Sequence, residues 1–203
     1  GKPHSEKRKN LGRELKQARQ KAAVLTLPDS IAWLLNIRGS DIARNPVTHG
    51  FAILHCDGHL NFFVAPTKVE KLAAHLGSDV HVYPPEEFIE RLELLNGPVR
   101  LDRDSVPFAI KTVLERAEVK IVWAPDPCVL PKACKNPVEL AGTSEAHLRD
   151  GAAVCEFLCW FESNANTGLT EIDLVTQLEQ YRRDSGALLD ISFDTIAGTG
   201  PNG

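Results

Sequence analysis

The chain has 203 residues, a formal net charge of −4, and hydrophobic and charged fractions of 43% and 25%. Those values suit one large or two small globular domains with cores able to support folding. The mild acidity gives no electrostatic footprint for nucleic acid or an anionic membrane surface. No apolar run approaches the roughly 20 residues of a membrane helix, and the opening Gly1-Lys2-Pro3-His4 lacks the apolar stretch of a signal peptide. No methionine occurs, an initiator included, which points to an internal segment of a longer protein. The five cysteines, Cys56, Cys128, Cys134, Cys155 and Cys159, are an odd number without a secretion signal, so reduced thiols and a cytoplasmic setting are expected.

In chain order, Ser5 to Ala22 is basic, with a thin apolar stripe at Leu11, Leu15, Ala18 and Ala22 that fits one helix face. Its cations read as a solvated face rather than a phosphate site, since no aromatic residues interleave with them. Ala23 to Leu27 and Gly50 to His55 are predicted strands. Asp57-Gly58 makes a hairpin turn, where glycine tolerates a positive φ, and Leu60 to Val64 returns. Lys68 to Leu76 predicts a helix, Val80 to Tyr83 a strand, Glu86 to Leu95 a helix and Val99 to Asp102 a strand. A helix capped by Ser105 then runs to Arg116, and Lys120 to Trp123 closes the pattern. Strands alternating with short helices imply an α/β layer structure, and the hairpin makes its sheet mixed.

The prolines of Ala124 to Pro131 suggest a linker. Asn136-Pro137-Val138-Glu139 opens a helix to about Glu162 with asparagine as cap, proline in the first turn and glutamate reaching back. On it, Cys155 and Cys159 sit among Val154, Phe157, Leu158 and Trp160 and read as buried packing rather than ligands. Thr170 to Asp173 opens a second helix, with Ile172, Val175, Leu178 and Tyr181 inward and Gly186 as its stop. Residues 3–130 therefore form one domain, and residues 131–203 a linker and the opening of another. Two helices and a strand cannot bury a sheet face by themselves.

Among candidate functional groups, His49, His55 and His59 cluster around the hairpin, but the turn leaves their facing open, and Asp57 serves the turn. His147, near Glu145, Arg149 and Asp150, reads as a helix-surface residue. Asp194 reads as an acceptor at a strand end. Gly198 to Gly203 has neither the lysine of a phosphate loop nor dinucleotide-binding spacing, so its glycines let backbone pass close to another group.

Three runs carry a resemblance. They are Asp29-Ser30-Ile31-Ala32-Trp33-Leu34-Leu35-Asn36-Ile37-Arg38-Gly39-Ser40-Asp41 with Asn45-Pro46-Val47; Lys135-Asn136-Pro137-Val138-Glu139-Leu140 with Ala146 to Ala152; and Ser192-Phe193-Asp194-Thr195-Ile196-Ala197-Gly198-Thr199-Gly200-Pro201-Asn202-Gly203. In order and spacing they resemble the cytosolic three-domain aminopeptidases P, Xaa-Pro aminopeptidases on the creatinase or pita-bread fold. The resemblance implies a creatinase N-terminal-like α/β domain followed by the start of a pita-bread catalytic domain. It implies an enzyme that removes the residue preceding proline from peptides, and a parent homodimer.

In that family two divalent metal ions, usually manganese, are held by two aspartates, a histidine and two glutamates. All lie beyond the turn matched by Gly198 to Gly203, so no catalytic residue and no metal ligand is expected here. The chain should be inactive alone, lacking the catalytic-domain remainder. By the same resemblance the loop after Trp33-Leu34-Leu35 faces the catalytic cleft. Arg38, Asp41 and Asn45 are then candidates for a substrate-cleft rim; the plainer reading pairs Arg38 with Asp41 as a brace. The alternative functions are a peptide- or protein-binding module on the same fold without metal ligands, as in histone-chaperone subunits, or a creatinase or prolidase.

Overall fold

A computed structural model of the chain describes all of residues 1–203, which divide into two compact units, Gly1–Lys135 and Asn136–Gly203. In the first, β1 (Ala22–Leu25), β2 (Phe51–His55), β3 (Leu60–Phe63), β4 (Val80–Tyr83), β5 (Val99–Leu101) and β6 (Ile121–Trp123) form one sheet in the order β4-β3-β2-β1-β5-β6. The β1–β2 and β2–β3 pairs are antiparallel and the other pairs are parallel. The mixed α/β sheet flanked by helices is the architecture expected from the sequence.

Period-2 alternation sorts the side chains onto two faces. Ala23, Leu25, Ala52, Leu54, Leu60 and Phe62 pack with Leu11 and Leu15 of α1 (His4–Gln17), with Ile31, Leu34 and Leu35 of α2 (Pro28–Leu35), and with Leu76 of α3 (Ala73–Leu76). Ala22, Val24, Ile53, Phe63, Val99 and Leu101 pack with Phe88 and Leu92 of α4 (Phe88–Glu93) and Ile110 and Leu114 of α5 (Phe108–Arg116) on the other face. The central strands β1 and β2 are buried on both sides because helices cover both faces.

The basic face of α1 departs from the solvated expectation. Lys7 and Arg8 are only 6% and 2% exposed. The Lys7 ammonium donates to the Trp33 carbonyl at 2.8 Å and to Asn36 Oδ1 at 2.7 Å, and sits 4.2 Å from the centre of the Trp33 ring. Arg8 donates to the Gly58 carbonyl at 2.5 Å and lies 3.7 Å from the Asp79 carboxylate. Burial lowers the affinity of its guanidinium for a proton, while Asp79 opposes that shift. Helix α1 also stops at Gln17, with Arg19 at φ 58°, so Ala18 is exposed and Ala22 begins a strand instead of ending the helical stripe.

Other boundaries shift for local reasons. The predicted helix over Lys68 to Leu76 is two 3-10 turns, Pro66–Lys68 and Glu70–Leu72, before α3, because Val69 turns into the core at φ −119°. Ser105 does not cap α5, which starts after Pro107; Thr26 Oγ1 bonds the Ser105 carbonyl instead. The proline-rich stretch is not a free linker: α6 (Val129–Ala133) forms within it and Cys128 is fully buried, which raises its thiol pKa. Pro131 fits that helix in its first turn, where its missing donor costs little.

In the second unit, α7 (Pro137–Asn164) and α8 (Glu171–Asp184) each begin with a capping box, Asn136 with Glu139 and Thr170 with Asp173. Three expectations fail there. Cys155 and Cys159 are exposed rather than packed, and Ile172 is 76% exposed rather than inward. Residues 192–199 form no strand, because no neighbouring strand offers them a ladder, so Asp194 ends no strand; only the 3-10 turn Gly200–Asn202 is regular. No helix of the chain is long and apolar enough to cross a membrane.

Close packing of α1 on the hairpin is testable at Gly12, where an added Cβ would meet Gly58 N at 2.9 Å and the Cys56 carbonyl oxygen at 3.1 Å. Helix propensity alone favours alanine by about 1 kcal/mol, but overpacking against backbone costs about 1–3 kcal/mol. Gly12→Ala is therefore expected to lower the thermal midpoint by about 2–5 °C. A raised midpoint in calorimetry would show that α1 does not sit on the hairpin.

Candidate functional site

The segment between α2 and β2 holds the three residues singled out from the sequence. Helix α2 ends at Asn36, which takes a left-handed conformation at φ 53°. Its side chain is held on both sides, accepting from Lys7 Nζ and donating to the Lys2 carbonyl at 2.9 Å. From there the chain folds back on itself. Gly39 N donates to the Pro46 carbonyl at 3.3 Å, and Asp41 N to the Val47 carbonyl at 3.3 Å. A turn from Ile42 to Asn45 closes the tip, with Arg44 at φ 62° and Asn45 N donating to the Ile42 carbonyl at 3.2 Å. Gly39 is obligatory: a Cβ there would stand 2.7 Å from Val47 and Thr48 backbone atoms.

Asp41 is the brace of this loop, though not through Arg38. One carboxylate oxygen, Oδ2, accepts from Lys68 Nζ at 2.6 Å, from His49 N at 2.7 Å and from Thr48 Oγ1 at 3.0 Å. The Lys68 hydrogen bond, then the His49 amide, hold its pKa down to about 2. Arg38 and Asn45 are exposed, and Arg38 is joined to no carboxylate. Lys68 went unnoticed in the sequence because it lies 27 positions away and its run read as a plain helix.

The hairpin histidines make contacts of another kind. His55 Nε2 is 3.3 Å from Asn61 Nδ2, and burial lowers the His55 pKa. His59 lies between Asp57 at 3.2 Å and Asp79 at 3.7 Å. His147 bonds the Thr143 carbonyl one turn back on α7. No group of three or more His, Cys, Asp or Glu side chains is placed to hold a metal ion. In the second unit a groove of about 630 Å³ runs between α7, α8 and residues 188–196, bordered by His147, Asp150, Arg182 and Phe193. The Arg182–Asp150 pair, at 2.6 and 3.2 Å, ties its two helices together.

Residues 1–139 match the family model described as Creatinase/Prolidase N-terminal domain. The chain belongs to this family. Its relatives include a probable Xaa-Pro aminopeptidase P of Laccaria bicolor, 35% identical over 100% of this chain and 33% of that protein. The crystal structure of X-prolyl aminopeptidase from Caenorhabditis elegans, described as a cytosolic enzyme with a di-nuclear active site, superposes with a TM-score of 0.88 at 33% identity. That match covers 97% of this chain and 33% of the enzyme. A prolidase from Thermococcus sibiricus matches at TM-score 0.67 and 18% identity over 100% of this chain and 56% of its own, which extends the likeness in fold alone. The chain spans about a third of the length of the curated relatives it matches.

The Asp41 brace has a pH signature. A carboxyl held below its ordinary pKa of 3.8 stabilises the loop above that value, and the contribution is lost as pH falls through about 2. Lys68→Met should move the Asp41 titration upward, toward the ordinary range, in carboxyl-detected NMR. An unmoved titration would mean that the Lys68 contact is not formed in solution.

Proposed function

We propose that this chain is the non-catalytic middle domain and the opening of the catalytic domain, divided near residue 130, of a cytoplasmic, homodimeric Xaa-Pro aminopeptidase. The full-length protein would release the N-terminal residue from peptides with proline in second position. The observation that carries this reading is the 33% identity and TM-score of 0.88 to X-prolyl aminopeptidase over 97% of the chain. Likeness in fold alone would say little about substrate, but here the sequence agrees along the same length.

The residues present do not fit a metal centre, since no suitable cluster of donors exists among them. The two divalent ions, with manganese as the family's usual metal, are therefore assigned to the part of the protein outside this chain, and the chain alone is expected to hydrolyse nothing. What this chain contributes is a shaped rim. With Asp41 consumed by Lys68, Thr48 and His49, it is not available for a peptide ammonium. Arg38 keeps its guanidinium fork for a carboxylate or carbonyl of the peptide, and the Asn45 amide can bond peptide backbone. Rigid loop backbone beneath them lowers the entropy lost on binding.

The test is peptide hydrolysis by the full-length protein. A peptide with proline in second position should lose its first residue in the presence of manganese, and chelation should stop the reaction. Arg38→Ala should raise KM about five- to tenfold with kcat little changed, the mark of a lost binding contact. Peptide binding without hydrolysis by the metal-loaded protein would replace the enzyme reading with that of a binding module.

A further inference from the structure

At the start of α8, Thr170 and Asp173 already satisfy the helix end. Asp173 N donates to Thr170 Oγ1 at 3.3 Å, and Thr170 N donates to Asp173 Oδ2 at 2.8 Å. The intervening Glu171 is left over from this capping, and its carboxylate goes elsewhere. Oε1 accepts from Thr199 N at 2.9 Å and from Asn202 Nδ2 at 3.1 Å, with Oε2 3.5 Å from the same amide nitrogen. One carboxylate thus grips both sides of a turn 28 to 31 residues further along the chain.

That turn is built to be tight. A Cβ on Gly198 would stand 2.6 Å from the Asn202 carbonyl oxygen, Gly200 takes φ +54°, and Asn202 N and Gly203 N close back on Thr199 and Gly200 at 3.1 and 3.2 Å. The segment leading into it has no strand partner, and Phe193 and Ile196 are 67% and 90% exposed. Within this chain apolar packing does not fix the turn, whereas two hydrogen bonds to one acceptor oxygen can.

We propose that Glu171 is a positioning residue that sets the conformation of the Gly198–Gly203 turn. This rests on the proposed function in one respect: in an Xaa-Pro aminopeptidase the turn's close-packed backbone would border the substrate, so Glu171 would act on catalysis through it. The role needs an oxygen acceptor more than a charge, because both partners are N–H donors.

Amide exchange in this chain tests the turn without any activity. Glu171→Ala should speed exchange at Thr199 about tenfold or more, while Glu171→Gln, which keeps an acceptor oxygen, should stay near the parent rate. The Leu174 amide, which bonds the Thr170 carbonyl at 3.2 Å, reports whether α8 still starts correctly. Should Leu174 also lose protection, Asn202→Asp decides, since it leaves the helix untouched. It replaces the amide donor with a second carboxylate set against Glu171, so Thr199 should exchange faster than in the parent.

Unchanged Thr199 exchange in all three variants overturns the proposal. In the full-length protein, Glu171→Ala should lower kcat for an Xaa-Pro peptide about tenfold and Glu171→Gln should restore most of it; full activity in Glu171→Ala overturns the positioning role. A parent protein that hydrolyses no such peptide defeats the functional reading alone, and the exchange data still judge the turn.

Discussion

The buried ammonium of Lys7 is the contact on which the shape of the candidate rim depends. It lies at the carboxyl end of α2, where unsatisfied carbonyls concentrate negative potential. There it takes the Trp33 carbonyl, the Asn36 side chain and the face of the Trp33 ring together. A lysine this buried would be costly to charge with fewer partners. With these, it locks Asn36 in the left-handed turn that aims the chain into the Arg38–Asn45 loop. Arg8, one residue on, performs the equivalent task at the hairpin through Gly58 and Asp79. A single helical turn thus fastens two separate loops to one face of the sheet.

This arrangement explains where the sequence could be read and where it could not. All six strands were legible, because alternation and turn residues such as Asp57-Gly58 are local signals. The boundaries that moved were decided by distant partners. Val69 breaks its helix to reach the core, and Thr26 occupies the Ser105 carbonyl. Lys7 and Arg8 looked like any solvated basic pair, because burial of a cation is specified by the carbonyls that receive it, and those lie 26 to 71 residues away.

The candidate site divides in the same manner. Arg38, Asp41 and Asn45 stood out as polar residues in an apolar setting, yet their roles separate only in three dimensions. Asp41 has three donors around one oxygen, which makes it structural, while Arg38 remains free of any carboxylate. Lys68 and Glu171 carried no signal in the sequence. Each is a common charged residue whose partner is brought to it by the fold, and Glu171 was further hidden inside a capping pattern that its neighbours complete without it.

The two units differ in what holds them within this chain. The first buries a layer of aliphatic and aromatic side chains on each face of its sheet, whereas Ala153 is the only buried hydrophobic residue of the second. The second relies on two capping boxes, the Arg182–Asp150 pair and ion pairs one helical turn apart, such as Arg183–Glu179. Caps contribute about 1 kcal/mol each and exposed ion pairs less, so in this chain by itself the helices should open at lower free energy than the sheet. The loop that carries Arg38 therefore sits on the more firmly packed unit. The Gly198–Gly203 turn, on the softer unit, is held by a carboxylate instead, a contact that acts where a hydrophobic core does not.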